Sequence, residues 1–154
     1  MEIDILPKME RAQIHIVFIV VPRFNITTLI TMIETLRIAN YLAPTSKFSW
    51  EVASFDGSKI TASNGMTATI KTANDNLRSA EFVFILGSWG TEHYHNQKLT
   101  AWLRKRARAG ERICGVELGS YIVARAGLLD GKLATIHWSW LNGFKENFDR
   151  VEVE

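Results

Sequence analysis

The sequence predicts an α/β protein built on a mainly parallel sheet. Three observations carry that expectation. Apolar runs too continuous for half-exposed strands recur at residues 14–22, 80–90 and 112–116. Segments with helical spacing lie between them. Gly, Pro and Asn mark the joints. Strands alternating with helices in this way pair in parallel through crossovers.

Each element follows from its residues. IHIVFIVVP (14–22) is β-branched and uninterrupted, as suits a central strand buried on both faces. In the next segment Ile26, Leu29, Ile33 and Leu36 stand three and four apart and form one apolar helical face. APTS (43–46) ends that helix. FSWEVASFDG (48–57) alternates, then stops at Asp-Gly. Residues 58–71 read as a hairpin about Asn64-Gly65. Residues 80–90 form another buried strand, ending in a Gly-flanked loop. Residues 96–110 predict a helix with Leu99, Trp102 and Leu103 on its apolar face and Gly110 at its end. RICGV (112–116) is a strand, and 118–127 is a helix closed by Gly127. DGKLATIHW (130–138) holds a short strand, 139–148 a helix, and DRVEVE (149–154) alternates like the opening of one more strand.

A chain of 154 residues implies one domain with a sizeable core. We divide it into an N-terminal extension, 1–13, and an α/β domain, 14–154. The net charge of +2 is too small to argue for nucleic acid or an anionic membrane. One cysteine excludes an internal disulfide. The apolar run Ile14–Val21 is short, follows mixed charges and lacks a small-residue cleavage site, which makes a poor signal peptide, and nothing approaches the roughly 20 apolar residues of a membrane span, so the chain reads as cytoplasmic and not membrane-bound.

Ligands of parallel sheets bind beyond the carboxyl ends of the strands. That directs attention to the loops at 22–28, 87–94, 116–119 and 137–140. The third carries Gly115-Val116-Glu117-Leu118-Gly119, the form of a nucleophile elbow. Small neighbours permit its tight turn, and its central residue takes a strained backbone. The central residue is Glu117. The lone Cys114 lies three positions earlier, inside the strand, where a buried thiol behaves as a small hydrophobe. A carboxylate at the elbow faces the site close to the start of the next helix, which favours negative charge. It binds cations and accepts hydrogen bonds rather than replacing a thiolate in attack.

Trp89, Trp138 and Trp140 lie in the flanking loops. Rings beside Glu117 would suit a cationic head group, and burial for area alone is the alternative. His137 is either a polar pocket wall or a hydrogen-bonded structural histidine. His93 and His95 lie beside Glu92 in a segment that reads as solvated loop, without a second cluster to complete a metal site. His15 reads as structural. RKRAR (104–108) reads as a solvated helix end complementing the dipole.

Read together, ARAGLLDGKLATIHW and the elbow before it resemble the sensor domain of AraC-type transcription regulators, a branch of the PfpI-like, class I glutamine amidotransferase-like superfamily. Residues 21–40 resemble its first strand-to-helix segment, and FVFILGSWG resembles the strand and loop over its pocket. The likeness runs from about Ile14 to Val153. It implies a flavodoxin-like three-layer sandwich. Enzymes of the superfamily place cysteine at the elbow, supported by an acid from the first strand-to-helix loop and often by a histidine. Here the elbow holds Glu117, the loop RFNITT has no carboxylate, and Thr27 or Thr28 takes the acid's approximate position. His137 remains. The resemblance thus implies a non-catalytic sensor of a small metabolite, a quaternary amine or amino-acid-like compound. Glu117, Trp89, His137, Trp138 and Thr28 would bind the ligand, without cofactor or metal. Such regulators act as dimers and read DNA through a C-terminal helix-turn-helix module. The sequence contains no such module and stops before the sensor's last strands, so the expectation is a C-terminally truncated domain that does not bind DNA alone. The rival readings are an enzyme using Cys114 or Glu117 with His137 on an amide, aldehyde or glyoxal-like substrate, and an inert fragment with an exposed sheet edge.

Overall fold

A computed structural model describes residues 13–73 and 76–154. The element order is β1 (Ile14–Val20), α1 (Ile26–Leu42), β2 (Phe48–Ser54), β3 (Lys59–Thr61), β4 (Thr67–Thr69), β5 (Lys71–Thr72), β6 (Phe82–Gly87), α2 (Gln97–Arg108), β7 (Arg112–Glu117), α3 (Gly119–Arg125), β8 (Leu133–Ala134), α4 (Leu141–Asn147) and β9 (Glu152–Val153). Single 3-10 turns at Thr91–His93 and Trp138–Trp140 precede α2 and α4.

The central sheet has five parallel strands in the order β5-β2-β1-β6-β7. Successive side chains of β1 point to opposite faces. Ile16, Phe18 and Val20 enter the cluster under α1, whereas Val17, Ile19 and Val21 pack with Leu99, Trp102 and Leu103 of α2 and Ile122 and Val123 of α3. Three layers result: α1, the sheet, then α2 with α3. This is the flavodoxin-like architecture.

Capping fixes where the helices start. Asn25 Oδ1 accepts from Thr27 N–H (3.0 Å) and Thr28 N–H (3.3 Å), opening α1. Asn96 Oδ1 accepts from Leu99 N–H (3.0 Å), opening α2. The chain crosses from β1 through α1 to β2 on one side, and reaches β6 on the other. The space beyond the carboxyl ends of β1 and β6 is therefore the topological switch point, where open α/β sheets bind ligands.

Three expectations need correction. The segment 58–71 is not wholly hairpin: β3 and β4 pair around Asn64-Gly65, but β5 turns away to extend the main sheet beside β2. The predicted apolar face of α1 is only partly covered. Leu29 is buried and Ile26, Ile33 and Leu36 are half-buried, because α1 packs over β1 and β2 and leaves an apolar groove against Phe82 and Phe84 of β6. Arg106 of RKRAR is not solvated. It shares the face of Leu99, Trp102 and Leu103, pairs with Glu111 (2.6 Å) and donates to the carbonyls of Leu77 and Arg78. The strand expected at DRVEVE forms as β9 and pairs in parallel with β8, apart from the main sheet. Of the N-terminal extension, residues 1–12 lie outside the described residues. Among the described residues no helix is long and apolar enough to cross a membrane.

Candidate functional site

The carboxyl ends of β1, β6 and β7 open into a cleft of about 260 Å³. Asn25, Ser63, Ser88, Trp89, Glu117 and His137 line it.

Its floor is the turn between β7 and α3. Glu117 has φ 52°, in the left-handed region that disfavours side chains. Its flanking glycines are set by close approach. A Cβ on Gly119 would lie 2.0 Å from the carbonyl oxygen of Ile85, and one on Gly115 2.6 Å from Ser120 Cα. No larger residue lets β7 enter α3 this sharply against β6. The turn therefore presents the Glu117 carboxylate to the cleft.

Two side chains hold that carboxylate from across the cleft. Thr28 Oγ1 donates to Glu117 Oε1 (2.8 Å), and Asn25 Nδ2 donates to the same oxygen (3.0 Å). Because Asn25 Oδ1 caps α1, its amide nitrogen faces Glu117. Oε2 accepts no hydrogen bond among the described residues. The partners of Glu117 thus come from the first turn of α1, not from the start of α3, where the sequence pointed.

The rim is aromatic and open. Trp89 is 65% exposed and sits on the turn after β6, next to Gly90. That turn is clamped from below. Arg125 of α3 donates to the carbonyls of Thr91 (3.1 Å), Glu92 and Tyr94 (2.8 Å), with its guanidinium over the Tyr121 ring. The Glu92 carboxylate accepts from Gly90 N–H (2.9 Å). His137 Nδ1 accepts from Ser139 N–H (3.3 Å), so in the neutral ring the proton sits on Nε2. Trp138 does not line the cleft. It is 80% exposed and stacks on the His137 ring at 5.5 Å. Trp140 packs instead against the third apolar cluster, which contains Phe144 and Tyr121.

The structure brings Glu117, Thr28, Trp89 and His137 together and leaves Trp138 outside. Sequence reasoning missed three lining residues. Asn25 was visible as a helix cap, by its place before an apolar periodic run. Ser88 followed from the Gly-flanked loop. Ser63 had no sequence signal, because it arrives on the β3–β4 hairpin, whose Ser63 N–H donates to Phe24 O (3.0 Å).

Cys114 is a strand residue paired with Phe84, on the same face of the sheet as Val116. It is absent from the cleft lining, and burial raises its thiol pKa above the usual range. His15 is buried in β1, with Nδ1 2.9 Å from Ser49 Oγ and 3.0 Å from the Arg78 guanidinium. Among the described residues no group of three or more His, Cys, Asp and Glu side chains could hold a metal ion.

A doubly wound parallel sheet with a glycine-bounded elbow at its switch point defines a class of ligand-binding and hydrolytic α/β domains. The chain belongs to the DJ-1/PfpI family, whose sequence pattern matches residues 15–152. The HTH-type transcriptional regulator CdhR of Pseudomonas aeruginosa is 33% identical over 136 residues, 88% of this chain and 40% of that protein. The HTH-type transcriptional regulator GbdR of the same species is 33% identical over 148 residues, 96% of this chain and 40% of that protein. The chain thus spans well under half the length of these relatives. Among solved structures, an AraC family transcriptional regulator from Pseudomonas putida superposes with a TM-score of 0.83 at 21% identity, covering 92% of this chain and 76% of that one.

Proposed function

We propose that this domain is the non-catalytic sensor of an AraC-type transcription regulator, binding a small cationic metabolite such as a quaternary amine or amino-acid-like compound. One observation carries the reading. The elbow position, which the family's enzymes give to a thiol, presents the carboxylate of Glu117 with one oxygen free of protein donors among the described residues. A fixed carboxylate beside an exposed ring attracts a cation by charge and by the ring's quadrupole. Trp89 is that ring, and His137 offers a donor on the far wall. The relatives being transcriptional regulators supports a regulatory role, exerted in the whole protein through a dimer and a helix-turn-helix module.

Titration calorimetry and thermal shift with choline and trimethylglycine test the reading. Binding is expected with at least one of them, raising the melting temperature by mass action, about 2.7 kcal/mol at about 100 times Kd. Glu117→Ala should abolish it. No heat and no shift with any quaternary amine would overturn the ligand class. Rapid, selective alkylation of Cys114 with loss of a measured turnover would overturn the non-catalytic role.

A further inference from the structure

At the amino end of the sheet, away from the cleft, a buried histidine sits inside a charged network. The His15 side chain, on β1, is 9% exposed. Its Nδ1 lies 3.0 Å from the Arg78 guanidinium and 2.9 Å from Ser49 Oγ of β2. A guanidinium only donates, so Nδ1 accepts and the neutral ring carries its proton on Nε2. Nε2 has no hydrogen-bond partner among the described residues, and Glu51 Oε2 stands 3.6 Å from it.

Arg78 belongs to the segment 77–81, which leads into β6. Polar contacts from four other elements tie that segment down. Glu51 of β2 accepts from Arg78 N–H (3.2 Å), and Glu81 accepts from His15 N–H of β1 (2.7 Å). Ser79 Oγ donates to Glu111, before β7 (3.0 Å), and Arg106 of α2 donates to the carbonyls of Leu77 and Arg78. Glu81 N–H donates to His15 O (3.0 Å). Within this set only the imidazole is of a type that changes charge between about pH 5 and about pH 8.

A second proton on the ring must go to Nδ1, the atom that accepts from Arg78. The hydrogen bond is then lost, and two cations meet where a donor met an acceptor. The neighbouring carboxylates do not offset this. Glu51 is already paired with Lys71 of β5 (2.9 Å) and with Arg78 N–H, and Glu81 is held by the His15 amide. Burial and the charge of Arg78 accordingly hold the His15 pKa below its ordinary range, against the pull of Glu51 and Glu81.

We infer that His15 and Arg78 form an acid-sensitive latch: the neutral ring lets Arg78 pin the segment 77–81 to β1, and protonation of His15 releases it, leaving Arg106 and Glu111 as its tethers. The latch is independent of what the cleft binds. Its sign is fixed. The fold prefers the neutral ring, so the latch is closed above the ordinary histidine pKa of about 6.5 and opens as pH falls below it.

Amide exchange followed by NMR on the full chain at about pH 7.5 and about pH 5.5 tests this, with each rate divided by the intrinsic rate at that pH. Protection at Arg78 and Glu81 should fall about tenfold or more at the lower pH, relative to the amides of Val17, Phe18 and Ile19 in the same strand as His15. His15→Asn sets an amide oxygen near the place of Nδ1 and takes up no proton, so it should keep the protection and abolish the acid loss. Arg78→Met should lower protection at both pH values alike. In the unsubstituted chain the His15 imidazole should titrate below about pH 6.5. That titration decides the matter even where a variant does not fold. A midpoint at or above about pH 6.5, equal protection at both pH values, or an acid loss that persists in His15→Asn would each overturn the latch.

Discussion

The floor and the rim of the cleft are built on different principles. The floor is specified by backbone sterics. Gly115 and Gly119 leave no room for a Cβ, Glu117 is forced into a left-handed conformation, and Asn25 and Thr28 hold its carboxylate. The rim is specified by little beyond loop anchoring. Trp89 stands 65% exposed, and the Arg125 clamp holds the chain beneath it rather than its ring. The contrast teaches that the geometric demands of an elbow lie in the glycines around its central residue, whichever side chain that residue carries.

The largest effect that would break this contrast is at the floor. Gly119→Ala should cost about 3 kcal/mol or more, because the clash is with backbone that has no rotamer to yield. Chemical denaturation measures it, and a loss under about 1 kcal/mol would mean the elbow is soft. Next, Asn25→Ala should cost about 1–2 kcal/mol, since one amide caps α1 and holds Glu117. It should also weaken any ligand bound through Glu117. The thiol gives a third, kinetic check. Burial raises the Cys114 pKa, so thiolate is scarce at neutral pH. Iodoacetamide should label the folded chain far more slowly than the chain in denaturant, with the difference narrowing as pH rises toward the raised pKa. Smallest of all, Trp138→Ala should change stability by no more than about 0.5 kcal/mol. A larger loss by thermal melt would show that Trp138 is packed beyond its stack on His137.

The two regions also differ in how far the sequence exposes them. Glu117 was legible from register alone, because only one reading of Gly115 to Gly119 places two glycines symmetrically about a strand-to-helix turn. The family resemblance implied Thr27 or Thr28 opposite the elbow, and it is Thr28 that meets Glu117. The parallel sheet was legible from the runs at β1, β6 and β7, whose burial leaves no alternating pattern. The rim was not. His137 and Trp138 are neighbours in sequence and their rings stack, yet only the His137 ring borders the cleft. Ser63 reaches the site only because a hairpin folds back on Phe24, a long-range event without local signature. The same holds for β8 and β9, two residues each, whose pairing depends on α4 between them.

Asn25 couples two parts of the molecule that are 92 positions apart in the case of its Glu117 contact. One oxygen terminates a long helix and one nitrogen steadies the acid, and both belong to a single rigid amide plane. Any rotation that serves the acid better must loosen the helix end, and the reverse. The occupant of the cavity and the posture of α1 are joined through three atoms, like two doors hung on one pin.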